Sequence, residues 1–110
     1  MTMDGIRKYD LSYLDTLITL WGEDKGLLTA DSIDRQFMKM VEEVGEVAEC
    51  ISKGKHNELP LEIGDVFVTL TLLASQNGLD LTDCVQLAYD KIKGRSGKII
   101  NNTFVKNEDL

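Results

Sequence analysis

The stretch Phe37–Ile51, FMKMVEEVGEVAECI, decides the fold. Its apolar residues recur at intervals of three, one, three, three, one and three positions, which is the period of an amphipathic helix. The apolar positions are Phe37, Met40, Val41, Val44, Val47, Ala48 and Ile51. We predict a helix over residues 31–53, with these side chains along one face.

Three further helices are predicted around this one, over residues 11–24, 58–77 and 81–93. Asn57 and Asp80 are the predicted N-caps of the last two. The third helix is rich in β-branched residues, but about twenty positions without a turn signal favour a helix over a strand. Because it is apolar on nearly all sides, we expect it to lie buried in the middle of a bundle.

The predicted fold is therefore an all-α four-helix bundle in a single domain, residues 1–110, with a core over about 10–95. The remaining residues, about 96–110, form a short C-terminal arm. The triplets Lys98-Ile99-Ile100 and Thr103-Phe104-Val105 flank Asn101-Asn102 there, a pattern that fits a small hairpin or a docked arm. Gly26, Gly54, Gly78 and Gly94 each follow a predicted helix, where C-cap glycines occur.

Composition limits the classes of function. The chain has 110 residues, 43% of them hydrophobic, and a formal net charge of −7. The apolar run at 66–74 is too short to cross a bilayer, and the N-terminus lacks the apolar core of a signal peptide. Net acidity disfavours binding to nucleic acid. We therefore expect a cytoplasmic protein that engages neither nucleic acid nor a membrane.

The second and third predicted helices carry the same short pattern of acids. Glu43 and Glu46 flank Val44-Gly45, as Glu62 and Asp65 flank Ile63-Gly64. Residues three apart lie on the same side of a helix, so two antiparallel helices can bring both pairs together. Glycine within a helix is unfavourable, and its recurrence before each second acid indicates close helix approach or ligand access.

Helical geometry places a polar stripe beside the apolar stripe of the second helix. At about 100° per residue, it lies roughly 80–160° from the centre of the apolar stripe, Val44. Its members are Gln36, Lys39, Glu43, Glu46 and Cys50. Four convergent carboxylates would repel one another, and a bound cation would relieve that repulsion. Oxygen donors without an EF-hand pattern favour Mg²⁺, with Mn²⁺ as an alternative.

The acids also resemble a known signature. Glu42-Glu43-Val44-Gly45-Glu46, followed by Glu62-Ile63-Gly64-Asp65, is similar to the EExxE…ExxD pattern of the MazG-like nucleoside triphosphate pyrophosphohydrolases. The resemblance spans about residues 32–98. It implies a helical bundle that forms a homodimer or homotetramer. It also implies Mg²⁺-dependent hydrolysis of a nucleoside triphosphate, such as a dNTP or a non-standard nucleotide, to the monophosphate and pyrophosphate.

The resemblance assigns roles to the acids. Glu43, Glu46, Glu62 and Asp65 match the metal ligands, and Glu43 and Glu46 are the candidate catalytic residues, with Glu46 preferred as the base that accepts the proton of the attacking water. Glu42 matches the leading acid of the signature, but its helical angle places it off the metal face.

Five residues are candidates for binding the substrate: Gln36, Lys39, Lys91, Arg95 and Lys98. Lys91 and Arg95 are four apart and resemble a Lys…Arg pair of MazG-like proteins. They could instead interact with the C-terminal dipole of the fourth helix. Lys39 binds phosphate in one interpretation and only pairs with Glu43 in the other.

Two other classes of function stay open at this point. The chain could be a non-catalytic helical module that binds nucleotide or metal, or that acts by oligomerisation. It could also be a structural protein whose acids form an ordinary solvated surface. The first would bind nucleotide without turnover, and the second would be insensitive to Mg²⁺.

Overall fold

A computed structural model describes residues 5–110 as four helices followed by a two-stranded hairpin. Short 3-10 turns precede the second helix and follow the hairpin. The elements are α1 Leu11–Asp24, α2 Ile33–Ser52, α3 Leu59–Gln76, α4 Leu81–Ile92, β1 Gly97–Ile100 and β2 Thr103–Lys106. The predicted helical architecture and the C-terminal hairpin are therefore confirmed. Residues 1–4 of the predicted domain lie outside the described residues.

Two of the helices begin at capping aspartates. The carboxylate of Asp10 accepts a hydrogen bond from the backbone N–H of Tyr13 at 2.9 Å, and α1 follows it. Asp80 caps α4 in the same way, accepting from the N–H of Thr82 at 2.8 Å, as predicted. Each cap satisfies an N–H that the first turn of a helix leaves without a partner.

The predicted cap of the third helix is wrong. Glu58, and not Asn57, precedes α3, and no side chain caps this end. Pro60 lies in the first turn and has no N–H, so one fewer donor needs a partner there. At the helix C-termini, Gly26 and Gly78 adopt φ of 71°, which confirms their predicted positions in left-handed turns.

Helix α2 packs on α3 through the side where its apolar stripe borders its polar stripe. The residues of α2 with reduced exposure are Ile33, Gln36, Met40, Glu43, Val47 and Cys50. The centre of the stripe is open, since Val44 is 48% exposed and Phe37 and Val41 are also exposed. A strongly amphipathic helix therefore leaves much of its apolar face outside the contacts made within one chain.

Helix α1 packs on α3 at Gly22. A Cβ atom at this position would collide with the side chain of Leu72, so glycine permits the contact. The hydroxyl groups of Thr19 and Ser75 lie 3.3 Å apart beside it. The buried carboxylate of Asp15 then joins α1 to the start of α4, because it accepts hydrogen bonds from the N–H and hydroxyl of Thr82 at 3.0 and 2.6 Å.

Helix α3 is not buried along its whole length, and the prediction of a fully buried helix is wrong for its N-terminal half. Leu72 is 4% exposed, whereas Leu61 is 70% exposed. The close contact of Gly22 with Leu72 lies in the C-terminal half. By length and composition alone α3 could also cross a membrane, a test that core helices of soluble proteins pass as well.

The C-terminal hairpin turns at Asn101 and Asn102, whose φ angles of 52° and 65° match the turn that joins two antiparallel strands. Gly97 pairs with Lys106, and Ile100 with Thr103. All of β1 is exposed. The radius of gyration is 16.6 Å, against about 13 Å expected for a compact chain of this length. One chain therefore forms an open arrangement of helices with uncovered apolar surface.

Candidate metal centre

Three carboxylates converge where α2 faces the N-terminal half of α3. Glu43, Glu62 and Asp65 each bring one oxygen within 4.8 Å of the other two, and all three residues are partly buried. Glu62 and Asp65 are three apart on α3, so they share the face that meets α2. We call these three residues the acid cluster; three of the four predicted ligands thus lie together.

The electrostatics of the acid cluster favour a bound cation. Burial raises the pKa of Glu62, and the neighbouring charges of Asp65, Glu46 and Glu43 raise it further. An acid in this position binds a proton or a cation more readily than it does in water. Three carboxylate oxygens are the hard donors that Mg²⁺ and Mn²⁺ prefer, so the donor set fits the predicted metal.

Glu46 lies one turn beyond Glu43 and is exposed. It stands outside the three convergent acids. Its charge nevertheless helps to raise the pKa of Glu62, which places it in the same electrostatic neighbourhood. Its roles as a fourth ligand and as the base stay predictions.

Lys39 is at the edge of the acid cluster. Its Nζ lies 3.2 Å from Oε1 of Glu43 and 3.6 Å from Oε2 of Glu42. The hydrogen bond and charge of Glu43, followed by the charge of Glu42, raise the pKa of this lysine. The predicted pairing with Glu43 is therefore present, and a phosphate-binding role would require Lys39 to exchange this partner.

Gln36 lies in the contact between α2 and α3, and its amide is already engaged. Its Nε2 donates to the backbone carbonyl of Thr69 at 3.3 Å. Thr69 is buried, and its hydroxyl donates to the carbonyl of Val66 at 2.7 Å. The side chain predicted to touch substrate is thus a link between the two helices.

The three remaining candidate cations belong to the C-terminal part of the chain. Lys91 lies in the last turn of α4, Arg95 follows that helix, and Lys98 lies on β1; all are exposed. Within residues 5–110, no ion pair joins any of them to the acid cluster. Their predicted contact with substrate stays a prediction.

An apolar groove of about 670 Å³ separates α1 from the N-terminal half of α3, and Asp65 lies on its border. Leu14 and Ile18 line one wall, and Leu61 and Phe67 the other. Sequence reasoning missed this groove, because it depends on how two helices diverge from a contact. Gly22, which permits that contact, was the available signal.

The two glycines of the acidic patterns face open space. A Cβ atom built at Gly45 or Gly64 would meet no atom within 4 Å. Close helix approach within one chain, one of the two predicted reasons for these glycines, is therefore wrong. Access for a ligand stays a prediction, and Gly64 lines the groove beside Asp65.

Comparison with known proteins gives a family match and one curated relative. The family model of the MazG nucleotide pyrophosphohydrolase domain matches residues 32–100, a range that includes the whole acid cluster. A segment of 71 residues is 38% identical to an uncharacterized 18.2 kDa protein in the rep-hol intergenic region of Haemophilus phage HP1 (strain HP1c1). It covers 64% of this chain and 44% of that protein, so the chain spans less than half of the curated relative's length. No solved structure matches the chain.

Proposed function

Because the chain belongs to the family of MazG nucleotide pyrophosphohydrolase domains, we propose that it hydrolyses a nucleoside triphosphate to the monophosphate and pyrophosphate with Mg²⁺. One observation carries the proposal: Glu43, Glu62 and Asp65 converge within 4.8 Å inside the matched range. The substrate is a free nucleotide, a dNTP or non-standard nucleotide among the candidates. The reaction takes place in the cytoplasm without nucleic acid or membrane.

The acid cluster would hold the metal. Glu43, Glu62 and Asp65 supply three oxygen ligands, and Glu46 is the proposed fourth. When bound, Mg²⁺ or Mn²⁺ neutralises phosphate charge and orients the attacking water. Burial and mutual repulsion already raise the pKa of Glu62, so the protein presents these acids at a site where a cation is favourable.

The chain's own residues then handle the proton and the phosphate charge. The water oxygen forms a bond to the α-phosphorus, and the bond from that phosphorus to the bridging oxygen breaks as pyrophosphate leaves. Glu46 accepts the proton of the water through the carboxylate oxygen that does not bind the metal; the residue is exposed and one turn from Glu43. Lys39 stabilises the leaving pyrophosphate after exchanging Glu43 for a phosphate oxygen.

We also propose that the active form is a homodimer or homotetramer. Phe37, Val41 and Val44 form an exposed apolar strip on α2, and the chain is less compact than a single domain of its length. A second copy would cover this surface. Assembly would also give Lys91, Arg95 and Lys98 of one copy access to the triphosphate at another.

Oligomerisation is tested by Val44→Glu, which places a charge in the middle of the exposed strip. Light scattering should show the wild-type chain as a dimer or tetramer and this variant as a smaller species. Glu23 lies on α1, and Glu23→Gln provides an exposed control that should keep the assembly. A wild-type chain that is monomeric at high concentration would contradict the proposal.

The function itself is tested by pyrophosphate release from a panel of canonical and modified NTPs and dNTPs. Release with Mg²⁺ or Mn²⁺ should stop in EDTA and in Glu62→Gln, and it should persist in the control Glu23→Gln. Release from any panel member would identify the substrate class. If the folded chain binds nucleotide but releases no pyrophosphate, the alternative of a non-catalytic binding module replaces this proposal.

A further inference from the structure

Polar side chains continue along the contact between α2 and α3 beyond the acid cluster. The amide of Gln36 donates to the carbonyl of Thr69 at 3.3 Å. Farther along, the amide of Gln76 donates to the carbonyl of Leu27 at 3.0 Å and to Oγ of Ser32 at 2.9 Å. Gln76 is only 8% exposed. Two glutamines therefore tie α3 to α2 and to the segment that leads into α2.

The position of Gln36 has a simple relation to the acid cluster. Glu43 lies seven residues after Gln36 on α2, and Glu62 lies seven residues before Thr69 on α3. Seven residues are close to two helical turns, about 10.5 Å along the axis and within about 20° of the same direction. In this antiparallel pair, the hydrogen bond from Gln36 to Thr69 is therefore compatible with the register in which Glu43 faces Glu62.

The apolar contacts between these helices do not fix that register by themselves. Met40 and Val47 pack on α3 between the polar residues, and dispersion and burial of such side chains are non-directional. The three carboxylates oppose the register, since like charges at close range repel. A directional contact is needed to hold the helices where the acids converge before a cation arrives.

Gln76 has the features of a residue that orients neighbouring segments through directional hydrogen bonds. Its Oε1 is buried and has no partner among the described residues, so its burial carries an unfavourable contribution. An apolar side chain of similar shape would avoid that cost. Its amide nonetheless contacts both ends of the turn between α1 and α2, at Leu27 and Ser32.

We propose that Gln36 and Gln76 are positioning residues of the metal centre: they hold α2 in the register that brings Glu43 opposite Glu62 and Asp65. Gln36 acts two helical turns from the acid cluster. Gln76 acts farther away, where it holds the segment that leads into α2. The inference rests on the proposed cation site, and it changes the role of Gln36 from contact with substrate to alignment of the ligands.

The test is Mn²⁺ affinity of the full chain without nucleotide, measured by the paramagnetic resonance of free Mn²⁺. Gln36→Met and Gln76→Met keep the size of the side chain and remove the amide. We expect each to weaken Mn²⁺ binding, because the ligands on α2 and α3 would no longer be held opposite one another. The matched control is Gln86→Met, at an exposed position of α4.

A second measurement separates alignment from plain stability. In EDTA, Gln76→Met should unfold close to the temperature of the wild type, because removal of a buried acceptor without a partner offsets loss of the hydrogen bonds to Leu27 and Ser32. Weaker Mn²⁺ binding in a chain of nearly unchanged stability is the signature of a positioning residue. If Gln76→Met does not fold, Ser32→Ala removes one of its acceptors and receives the same measurements.

The other possible results separate failure of this inference from failure of the proposed function. Unchanged Mn²⁺ affinity in both variants overturns the inference but leaves the proposed function standing. Unchanged Mn²⁺ affinity with a raised KM in Gln36→Met also overturns it and makes Gln36 a substrate contact. If the folded wild-type chain binds no Mn²⁺, the inference and the cation site fail together.

Discussion

The two halves of α3 have the same apolar character but opposite surroundings. In the C-terminal half, Thr71 is fully buried and Leu72 nearly so, and Gln76 bonds to the turn before α2. In the N-terminal half, Leu61 and Ile63 are exposed, and Glu62 and Asp65 converge with Glu43. The C-terminal half, which we call the closed half, packs against the rest of the chain. The N-terminal half, which we call the open half, presents acids, a glycine and an open groove.

This difference teaches that stability and chemistry occupy different turns of one helix. Carboxylates that repel one another are destabilising, so the turns that carry them depend on packing elsewhere. The close contact between Gly22 and Leu72 supplies that packing. Substitutions in the two halves should therefore affect different measurements, and the expected effects can be ranked.

The largest effect is expected from Asp65→Asn, which removes a charged ligand from the open half. Turnover should fall by more than the roughly 100-fold that loss of a second-shell group costs. The melting temperature in EDTA should not fall, because repulsion decreases. Pyrophosphate release and thermal unfolding measure the two quantities, with Asp34→Asn on the exposed start of α2 as control. If Asp65→Asn keeps full activity, the N-terminal half of α3 is not part of the active site.

In the closed half, Leu72→Ala should lower the free energy of unfolding by about 2–5 kcal/mol, the cost of a cavity at a buried leucine. Leu72 is 4% exposed, so the cavity cannot be filled by solvent at little cost. Chemical denaturation measures the loss. The matched change in the open half, Leu61→Ala, should cost less, and an equal cost for both would mean that an unseen partner covers Leu61.

Substitutions at two glycines, Gly22 and Gly45, should change the free energy of unfolding by smaller amounts and in opposite directions. Gly22→Val should destabilise the chain by about 1–3 kcal/mol, because its side chain would overlap Leu72. Gly45→Ala should instead stabilise it by up to about 1 kcal/mol, since a Cβ there meets open space within a helix. The midpoint of chemical denaturation, measured for each variant, shows whether stability falls or rises. Destabilisation by Gly45→Ala would contradict this expectation and would mean that the space is occupied in solution.

The sequence predicted the bounds of α1 without error and those of α2 to within two residues, because apolar periodicity is a local signal. It also predicted the convergence of Glu43, Glu62 and Asp65, because two repeated acid pairs on antiparallel helices can meet in few ways. These successes depend on short-range geometry that each helix carries by itself.

The failures concern contacts between elements. Periodicity placed Val44 at the centre of an apolar face, but it could not show that α3 would contact one flank and leave Val44 open. Apolar composition predicted burial all around α3, whereas the fold covers only half of it. The hydrogen bond from the amide of Gln36 to a backbone carbonyl on another helix has no signature in sequence.

The smallest expected effect is a dependence of metal-free stability on pH. Because the pKa of Glu62 is raised in the folded chain by burial and by neighbouring acids, folding is favoured while this group holds its proton. Relative to Glu62→Gln, the wild type should lose stability as pH rises from the ordinary glutamate pKa through the raised one. Thermal unfolding in EDTA across this range measures the difference between the two chains. A difference that does not change with pH would mean that Glu62 titrates as an ordinary surface acid.

The central claim is that the open half of α3 is a cation site supported by the closed half. Thermal unfolding of the wild type and of Glu62→Gln, each in EDTA and in Mg²⁺, tests it most directly. We predict that Mg²⁺ raises the melting temperature of the wild type, because a ligand that binds only the folded state stabilises it. Glu62→Gln should melt no lower than the wild type in EDTA and should gain little from Mg²⁺. If Mg²⁺ does not change the melting temperature of the wild type, and Glu62→Gln melts lower than the wild type in EDTA, these acids are ordinary surface charges.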